Sequence, residues 1–507
     1  MGRFRNMPLV SPRGSRRRWP RFLCAAAGGL ALAYLVLLFP EREVPPPGGA
    51  GRQPFAWRQD SFWAELRQEL LSARQAEPSA LSNRVQAAST EIRVLLDKLQ
   101  ATAFPAEAVI FTSLETNLFR LAPLVAAAPA QVPEFIALAN RTRKEVKDQS
   151  ARWDLGSAMV RQRLYRLLYG TRMALEEVLL QMPQNNSPSP TLIGENEPSQ
   201  TPAARILGVE IHSGDILVSR GGAATSALIS RGNDFPGNFS HVGLAHIDET
   251  TGRVSIIESL SQRGVVITPV EHYLQDKKLR LLVLRLRADL PALAADPRLP
   301  HRAAASALAE ARARHIPYDF ALDSGDHSKQ FCSEVASAAY DAEGVRLWMG
   351  MTFISSPGVA AWLASLGVRH FETREPADLE YDPQLRVVAE WRDPAGLVKA
   401  HLDDAVTDAM LETALPGQGL PFTHALLPLA RLVKMYSLAL NLAGKVGPIP
   451  EGMSATTSLR VAAYRKRHSL IAERAAKLSG EFAQQNRRPP LYWELIQLAR
   501  QAQRELN

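Results

Sequence analysis

The chain has 507 residues, of which 46% are hydrophobic and 22% charged, a composition typical of a folded protein with room for two or three packed units. The formal net charge is +8, but seven arginines precede residue 22 with no acidic residue among them, which leaves about +1 (8 − 7) for the rest. The composition therefore excludes wholesale disorder, and the charge distribution argues against a nucleic-acid-binding body.

An uncharged apolar segment, 22–39, directly follows the basic residues 1–21. A helix of this length spans about 27 Å, close to the hydrocarbon thickness of a bilayer, and the arginines favour a cytoplasmic N-terminus. We therefore expect a single-pass anchor in the cell inner membrane, with the remaining chain on the periplasmic side. The alternative is a cleaved signal peptide, which is disfavoured because the small residues Gly48, Gly49 and Ala50 lie well beyond the apolar segment.

The rest of the chain divides by composition and periodicity. A Pro/Gly-rich stalk comes first, and apolar residues at three- and four-residue spacing then predict a helical bundle. A stretch rich in Pro, Asn and Ser predicts a linker, and it precedes the part of the chain richest in strand-forming segments. The predicted regions after the anchor are the stalk 40–54, the helical bundle 55–182, the linker 183–205, an α+β domain 206–394 and a helical C-terminal region 395–507.

Cys332 is the one cysteine outside the apolar segment, which contains Cys24, and so has no disulfide partner there. It directly precedes an alanine-rich run, 335–340, that ends at Gly344 and predicts a helix beginning near the thiol. The first turn of a helix presents free backbone N–H groups and the positive end of the helix dipole, which favour a thiolate and can hold an oxyanion. We expect a nucleophile, against the alternative of a small buried apolar residue.

His241 begins an apolar strand after a loop rich in Gly, Asn and Pro, a rigid position that suits a general base. Antiparallel pairing through the turn at 248–252 would place Glu258 almost opposite this imidazole. A carboxylate there could orient the ring and stabilise its charged form. The alternatives are a histidine satisfied at a sheet edge and a solvated glutamate.

Six short motifs in a fixed order resemble the YiiX/YebB-like permuted papain-fold hydrolases of the NlpC superfamily. The resemblance covers about residues 206–392, and the order of His before Cys is the permuted one. It implies a papain-like core with catalytic Cys332 and His241 and with Glu258 as the orienting residue. The motifs are Gly214-Asp215-Ile216-Leu217, Ser240-His241-Val242-Gly243, Ile257-Glu258-Ser259, Thr268-Pro269, Pro317-Tyr318-Asp319-Phe320 and Phe331-Cys332-Ser333-Glu334.

Asp215 is interpreted as a cap of the turn at Gly214, and Tyr318 either lines an oxyanion site or packs structurally. The predicted fold class is α+β, a circularly permuted papain-like (NlpC-type) domain flanked by helical regions and preceded by a transmembrane helix. The expected activity is that of a membrane-anchored cysteine hydrolase of amidase or endopeptidase type. It would act on cell-envelope peptide amides through an acyl-thioester.

Two alternatives remain open: a lipid acyltransferase or lipid ester hydrolase on the same fold, and a non-catalytic envelope-binding module. No cofactor, metal or nucleic acid is expected. The expected partners are the membrane and a peptide or lipid carbonyl substrate, and protein partners and oligomeric state are left open.

Overall fold

The structure is a computed structural model that describes residues 52–182, 191–348 and 350–506, together with 24, 28–29, 31–32, 34–41 and 46. The predicted basic segment 1–21 lies outside the described residues, as do parts of the predicted anchor, stalk and linker. The described residues between Cys24 and Leu37 are helical. The transmembrane anchor stays a prediction.

The first described unit is a layer of six helices formed by residues 60–181. Its apolar residues recur at helical spacing and are buried, as at Leu66, Leu70, Ile92 and Leu96. A single π-helical turn, Tyr165–Tyr169, separates the last two helices. The helices are α1 Asp60–Ala73, α2 Pro78–Ala101, α3 Val109–Ala127, α4 Val132–Ser150, α5 Ala158–Leu164 and α6 Gly170–Gln181.

A seven-stranded sheet forms the centre of the molecule, with strand order β1-β11-β8-β4-β5-β6-β7 and every neighbouring pair antiparallel. Two further pairs, β2 with β3 and β9 with β10, lie outside it. The strands are β1 Thr191–Ile193, β2 Ala203–Ile206, β3 Val209–His212, β4 Ile216–Gly221, β5 His241–Ile247, β6 Val254–Leu260, β7 Gly264–Pro269, β8 Lys278–Leu286, β9 Thr352–Phe353, β10 Glu372–Thr373 and β11 Leu385–Trp391.

The predicted linker 183–205 contains structure that its composition does not indicate. Residues 191–193 form the edge strand β1, which pairs with β11, and Ala203 begins the hairpin strand β2. Only three residues long, β1 is too short to show a period-two pattern, and its partner strand lies almost two hundred positions away.

Helices cover the sheet and extend from it. The helix α11 packs on β5 and β6, and α13 packs on β8 and against α15 and α16. The helices after the bundle are α7 Ala224–Arg231, α8 Val270–Gln275, α9 Pro291–Ala295, α10 Leu299–Ala313, α11 Cys332–Ala342, α12 Pro357–Ser365, α13 Pro394–Glu412, α14 Leu427–Leu442, α15 Ala455–Asn486 and α16 Tyr492–Glu505.

Buried ion pairs join both helical flanks to the sheet. Arg280 on β8 donates to Glu176 on α6, with Nη2 2.6 Å from Oε2, and Arg220 on β4 donates to Asp404 on α13 at 2.8 Å. All four side chains are almost fully shielded from solvent. Since an unpaired charge in such a position is strongly destabilising, each flank has to stay docked on the sheet.

Two described helices are long and apolar enough to cross a membrane by length and composition, Val109–Ala127 and His424–Leu442. Most of the first is buried in the protein core, whereas most of the second is exposed.

Candidate active site

Cys332 is the first residue of α11, as the sequence pattern predicts. The backbone N–H of Phe331, the residue before the helix, donates to the Glu334 carboxylate at 2.9 Å and so fixes the start of the first turn. The Cys332 side chain is only 5% exposed, and its Sγ lies 3.7 Å from the carbonyl oxygen of Ser240. The thiol therefore faces the beginning of β5, where His241 is located.

His241 is held between two acidic groups. Its Nε2 lies 2.7 Å from Oε2 of Glu258, and its imidazole is close enough to the Cys332 side chain for the thiol to raise its pKa. Because Glu258 occupies Nε2, Nδ1 is the ring atom left for the thiol. The other Glu258 oxygen accepts a hydrogen bond from Thr268 Oγ1 at 2.6 Å, which fixes the carboxylate.

The strand register differs slightly from the predicted one. Glu258 pairs with Gly243, two residues beyond His241, so the two side chains are diagonal neighbours on one face of the sheet. Diagonal neighbours are within reach of a long side chain, and the glutamate closes the remaining gap to the imidazole.

The electrostatics of the three groups favour a charged imidazole. Burial lowers the pKa of His241, but the hydrogen bonds with Cys332 and Glu258, and then the charges of these two partners, raise the pKa from 6.5 to about 9. For Glu258, burial raises the pKa, whereas the bond to His241 and its charge bring the pKa below the ordinary value. The pair is thus an imidazolium and a carboxylate near neutral pH.

A glycine in β5 leaves room for a side chain of the neighbouring strand beside the site. A Cβ on Gly243 would lie 2.6 Å from Cγ2 of Ile256, closer than such atoms pack. A larger residue at this position would have to displace the Ile256 side chain, which is fully buried beside Glu258.

A cleft of about 180 Å³ opens beside Cys332. Most of its walls are apolar, and part of one wall comes from the C-terminal helical region, through Met453 and through Val461 and Arg465 of α15. Its lining includes Leu228, Ile229, Tyr318, Phe320, Leu322, Ile354, Leu363, Leu366, Val368, Arg374, Met453, Val461 and Arg465.

Sequence reasoning did not identify Arg374, Met453 or Val461 as residues of the cleft. Arg374 lies in the segment between β10 and the 3₁₀ turn at 376–381, and its Nε is buried with no hydrogen-bond partner. No motif or periodicity marks any of the three, because their position depends on contacts with distant elements.

Other residues of the six motifs have structural contacts. Asp215 accepts hydrogen bonds from the His212 N–H and from Arg285, each at 2.8 Å, beside the turn at Gly214. Asp319 accepts from two backbone N–H groups of its own loop. Tyr318 is part of the cleft wall.

Among the described residues, no group of three or more His, Cys, Asp or Glu side chains is arranged to hold a metal ion.

A thiol at a helix start, facing an imidazole and a carboxylate on an antiparallel sheet, is the arrangement of the papain-like hydrolases. Residues 210–389 match the family model described as "Permuted papain-like amidase enzyme, YaeF/YiiX, C92 family", so this part of the chain is similar to that family. The match confirms the predicted resemblance to the YiiX-like permuted papain-fold hydrolases and leaves both helical flanks outside it. A search of curated proteins found no match.

Proposed function

We propose that the protein is a membrane-anchored cysteine amidase that uses Cys332 as nucleophile, His241 as proton carrier and Glu258 as the residue that orients the imidazole. The observation that carries the proposal is the position of His241, which is bonded to Glu258 through Nε2 and lies beside the Cys332 thiol.

In the first step the Cys332 thiolate attacks the carbonyl carbon, and the N–H groups of the first turn of α11 hold the resulting oxyanion. Protonated His241 gives its proton to the leaving amine as the C–N bond breaks, which leaves an acyl-thioester on Cys332. Neutral His241 then takes a proton from water, the hydroxide attacks the thioester, and the carboxylic acid leaves as the C–S bond breaks and the thiolate–imidazolium pair is restored.

Two substrate classes fit this chemistry. The first is the cell-envelope peptide amide expected from the sequence. The cleft lining favours the second, an amide or ester with an apolar acyl group, because the walls are mainly Leu, Ile, Val, Phe and Met side chains. Arg374, with a buried Nε that has no partner, is in a position to bind a polar or anionic group at the end of such a chain.

Parallel incubation tests the activity and distinguishes the two classes. The full-length protein in detergent receives N-acyl amino acids of increasing chain length and peptidoglycan stem-peptide fragments, with Cys332→Ala as control. Release of a fatty acid, with an acyl group trapped on Cys332 and seen by mass spectrometry, supports the acyl substrate; release from the peptide fragments alone refutes it. If neither is cleaved and the thiol does not react with iodoacetamide, the chain is a binding module.

Chain-length preference provides a sharper test of the cleft. Val461 lines the cleft, whereas Leu470 on the same helix is exposed. We expect Val461→Trp to shift the preferred acyl chain to a shorter length and Leu470→Trp to leave it unchanged. An identical chain-length profile in both variants would exclude this wall from substrate binding.

A further inference from the structure

The helix α14, Leu427–Leu442, has one buried and one exposed face, and the exposed face is apolar. Leu427 and Ser437 are fully buried against the protein, and Ala430 is nearly so. A stripe at spacings of three and four residues lies outward, and the helix contains no acidic residue. The large exposed side chains of the helix are Leu429 (60% exposed), Leu432 (55%), Met435 (64%), Tyr436 (59%), Leu438 (44%) and Leu442 (91%).

Both cations of the helix are turned away from this stripe. Arg431 donates to the carbonyl oxygens of Leu37, at 3.1 Å, and of Phe39. Lys434 donates to the carbonyl oxygens of Pro450 and Glu451, each at 2.7 Å. The stripe is therefore an uninterrupted apolar surface with its charged groups at the side.

The C-terminal end of the predicted anchor lies against the same helix. The Tyr34 hydroxyl donates to the Ala425 carbonyl at 3.2 Å, and Arg431 holds the end of this segment. Leu35, Val36 and Phe39 are themselves exposed and apolar, so the two segments form one continuous surface. Large exposed apolar surfaces of this kind mark membrane or protein contacts.

We propose that the exposed face of α14, together with residues 34–39, inserts into the outer leaflet of the lipid bilayer and lies in the plane of the interface. The bilayer is the occupant we infer because the surface continues directly into the apolar segment predicted to cross it. The helix lies on the membrane and does not span it, since its inner face packs on the protein and its Ser437 hydroxyl accepts from the Ile449 N–H.

This docking brings the catalytic cleft close to the lipid. Glu41, two residues beyond Phe39, bonds to Thr456 and lines a cavity with Tyr318, Phe320 and Met453. The last three residues also line the cleft beside the nucleophile. A membrane amphiphile could then enter the cleft from the leaflet itself. The docking proposal rests on this surface geometry and on the predicted anchor, and it holds whether or not the cleft is catalytic.

Depth-dependent fluorescence quenching tests the docking on the full-length chain reconstituted in phosphatidylethanolamine/phosphatidylglycerol vesicles. An environment-sensitive dye is attached to Leu432→Cys in a Cys24→Ser, Cys332→Ser background. Val94→Cys, on an exposed site of the helical bundle, is the matched control. We expect doxyl groups about 5–10 Å below the headgroups to quench the L432C dye and aqueous iodide to quench the V94C dye.

Two outcomes would overturn the proposal. One is equal iodide quenching at both positions. The other is cross-linking between two L432C chains at the same yield in detergent and in vesicles, which would make a second copy of the chain the occupant. As a further check, Met435→Glu in the L432C background should reduce lipid quenching, whereas Leu470→Glu, also at an exposed leucine, should not.

Discussion

Replacement of Glu258 by Gln tests the electrostatic basis of the proposed mechanism. The amide keeps the shape of the carboxylate but removes the charge that stabilises the imidazolium at 2.7 Å. The rise in the pKa of His241 from 6.5 to about 9 corresponds to about 3 kcal/mol of preference for the protonated ring, shared between Cys332 and Glu258. Loss of a charge-assisted hydrogen bond removes about 1.5–3 kcal/mol, so much of this preference should disappear.

The assay is kcat/KM as a function of pH, with whichever acyl or peptide substrate the parallel incubation identifies. In the wild-type protein the reactive ion pair is lost when His241 deprotonates, so activity should fall above about pH 9. We expect Glu258→Gln to move this upper limb of the pH profile, where activity falls, about one pH unit or more to lower pH. We also expect it to lower kcat/KM at neutral pH about 10- to 100-fold. Thr268→Val, which leaves the carboxylate in place, is the matched control and should shift the limb little. An upper limb that stays near pH 9 in Glu258→Gln would refute the assigned role.

Three further predictions concern stability. The pKa of His241 is raised on folding, so its contribution to the free energy of unfolding is fully present below about pH 6.5 and is lost as the pH rises through about 9. In urea unfolding, the difference in the free energy of unfolding between the wild type and His241→Gln should shrink over this range. Gly243→Ala should lower the free energy of unfolding by about 1–3 kcal/mol through overpacking, whereas Gly480→Ala, with open space around it in a helix, should raise it by about 0.5–1 kcal/mol. Arg280→Met should cost about 1.5–3 kcal/mol because the buried Glu176 loses its bidentate partner and keeps only His401, at 2.9 Å, and Arg392, at 3.7 Å; an unchanged free energy of unfolding would contradict that reading.

The sequence predicts the elements that local patterns define. The strand that begins at His241 and the helix that begins at Cys332 are both found where the sequence predicts them. Turn residues reinforce the alternating and helical periods there, and the ordered motifs predict the family that residues 210–389 resemble. The pairing register is harder to predict from the sequence. In the structure Glu258 pairs with Gly243, and its carboxylate reaches the His241 imidazole diagonally.

Buried charges and long-range contacts could not be predicted in the same way. Arg220 and Asp404 look like surface residues in the sequence, because charged side chains are rarely buried unless paired. Their pairing joins positions 184 apart, which no local pattern reports. The same holds for Met453 and Val461, which lie more than a hundred residues beyond Cys332 and reach the cleft only because α15 folds back over it.

Because the C-terminal helical region forms part of the cleft wall, substrate selection has to be studied on a chain that includes this region. The family match ends at residue 389, whereas Met453 and Val461 of the cleft wall lie beyond it. The ion pair between Arg220 and Asp404 anchors α13, and α13 in turn packs on α15, so this wall is fixed to the sheet. An excised 206–394 segment would lose the wall and expose Arg220 without its partner. The substrate class of the family therefore cannot simply be transferred to this chain, and the specificity proposed here belongs to the full-length protein.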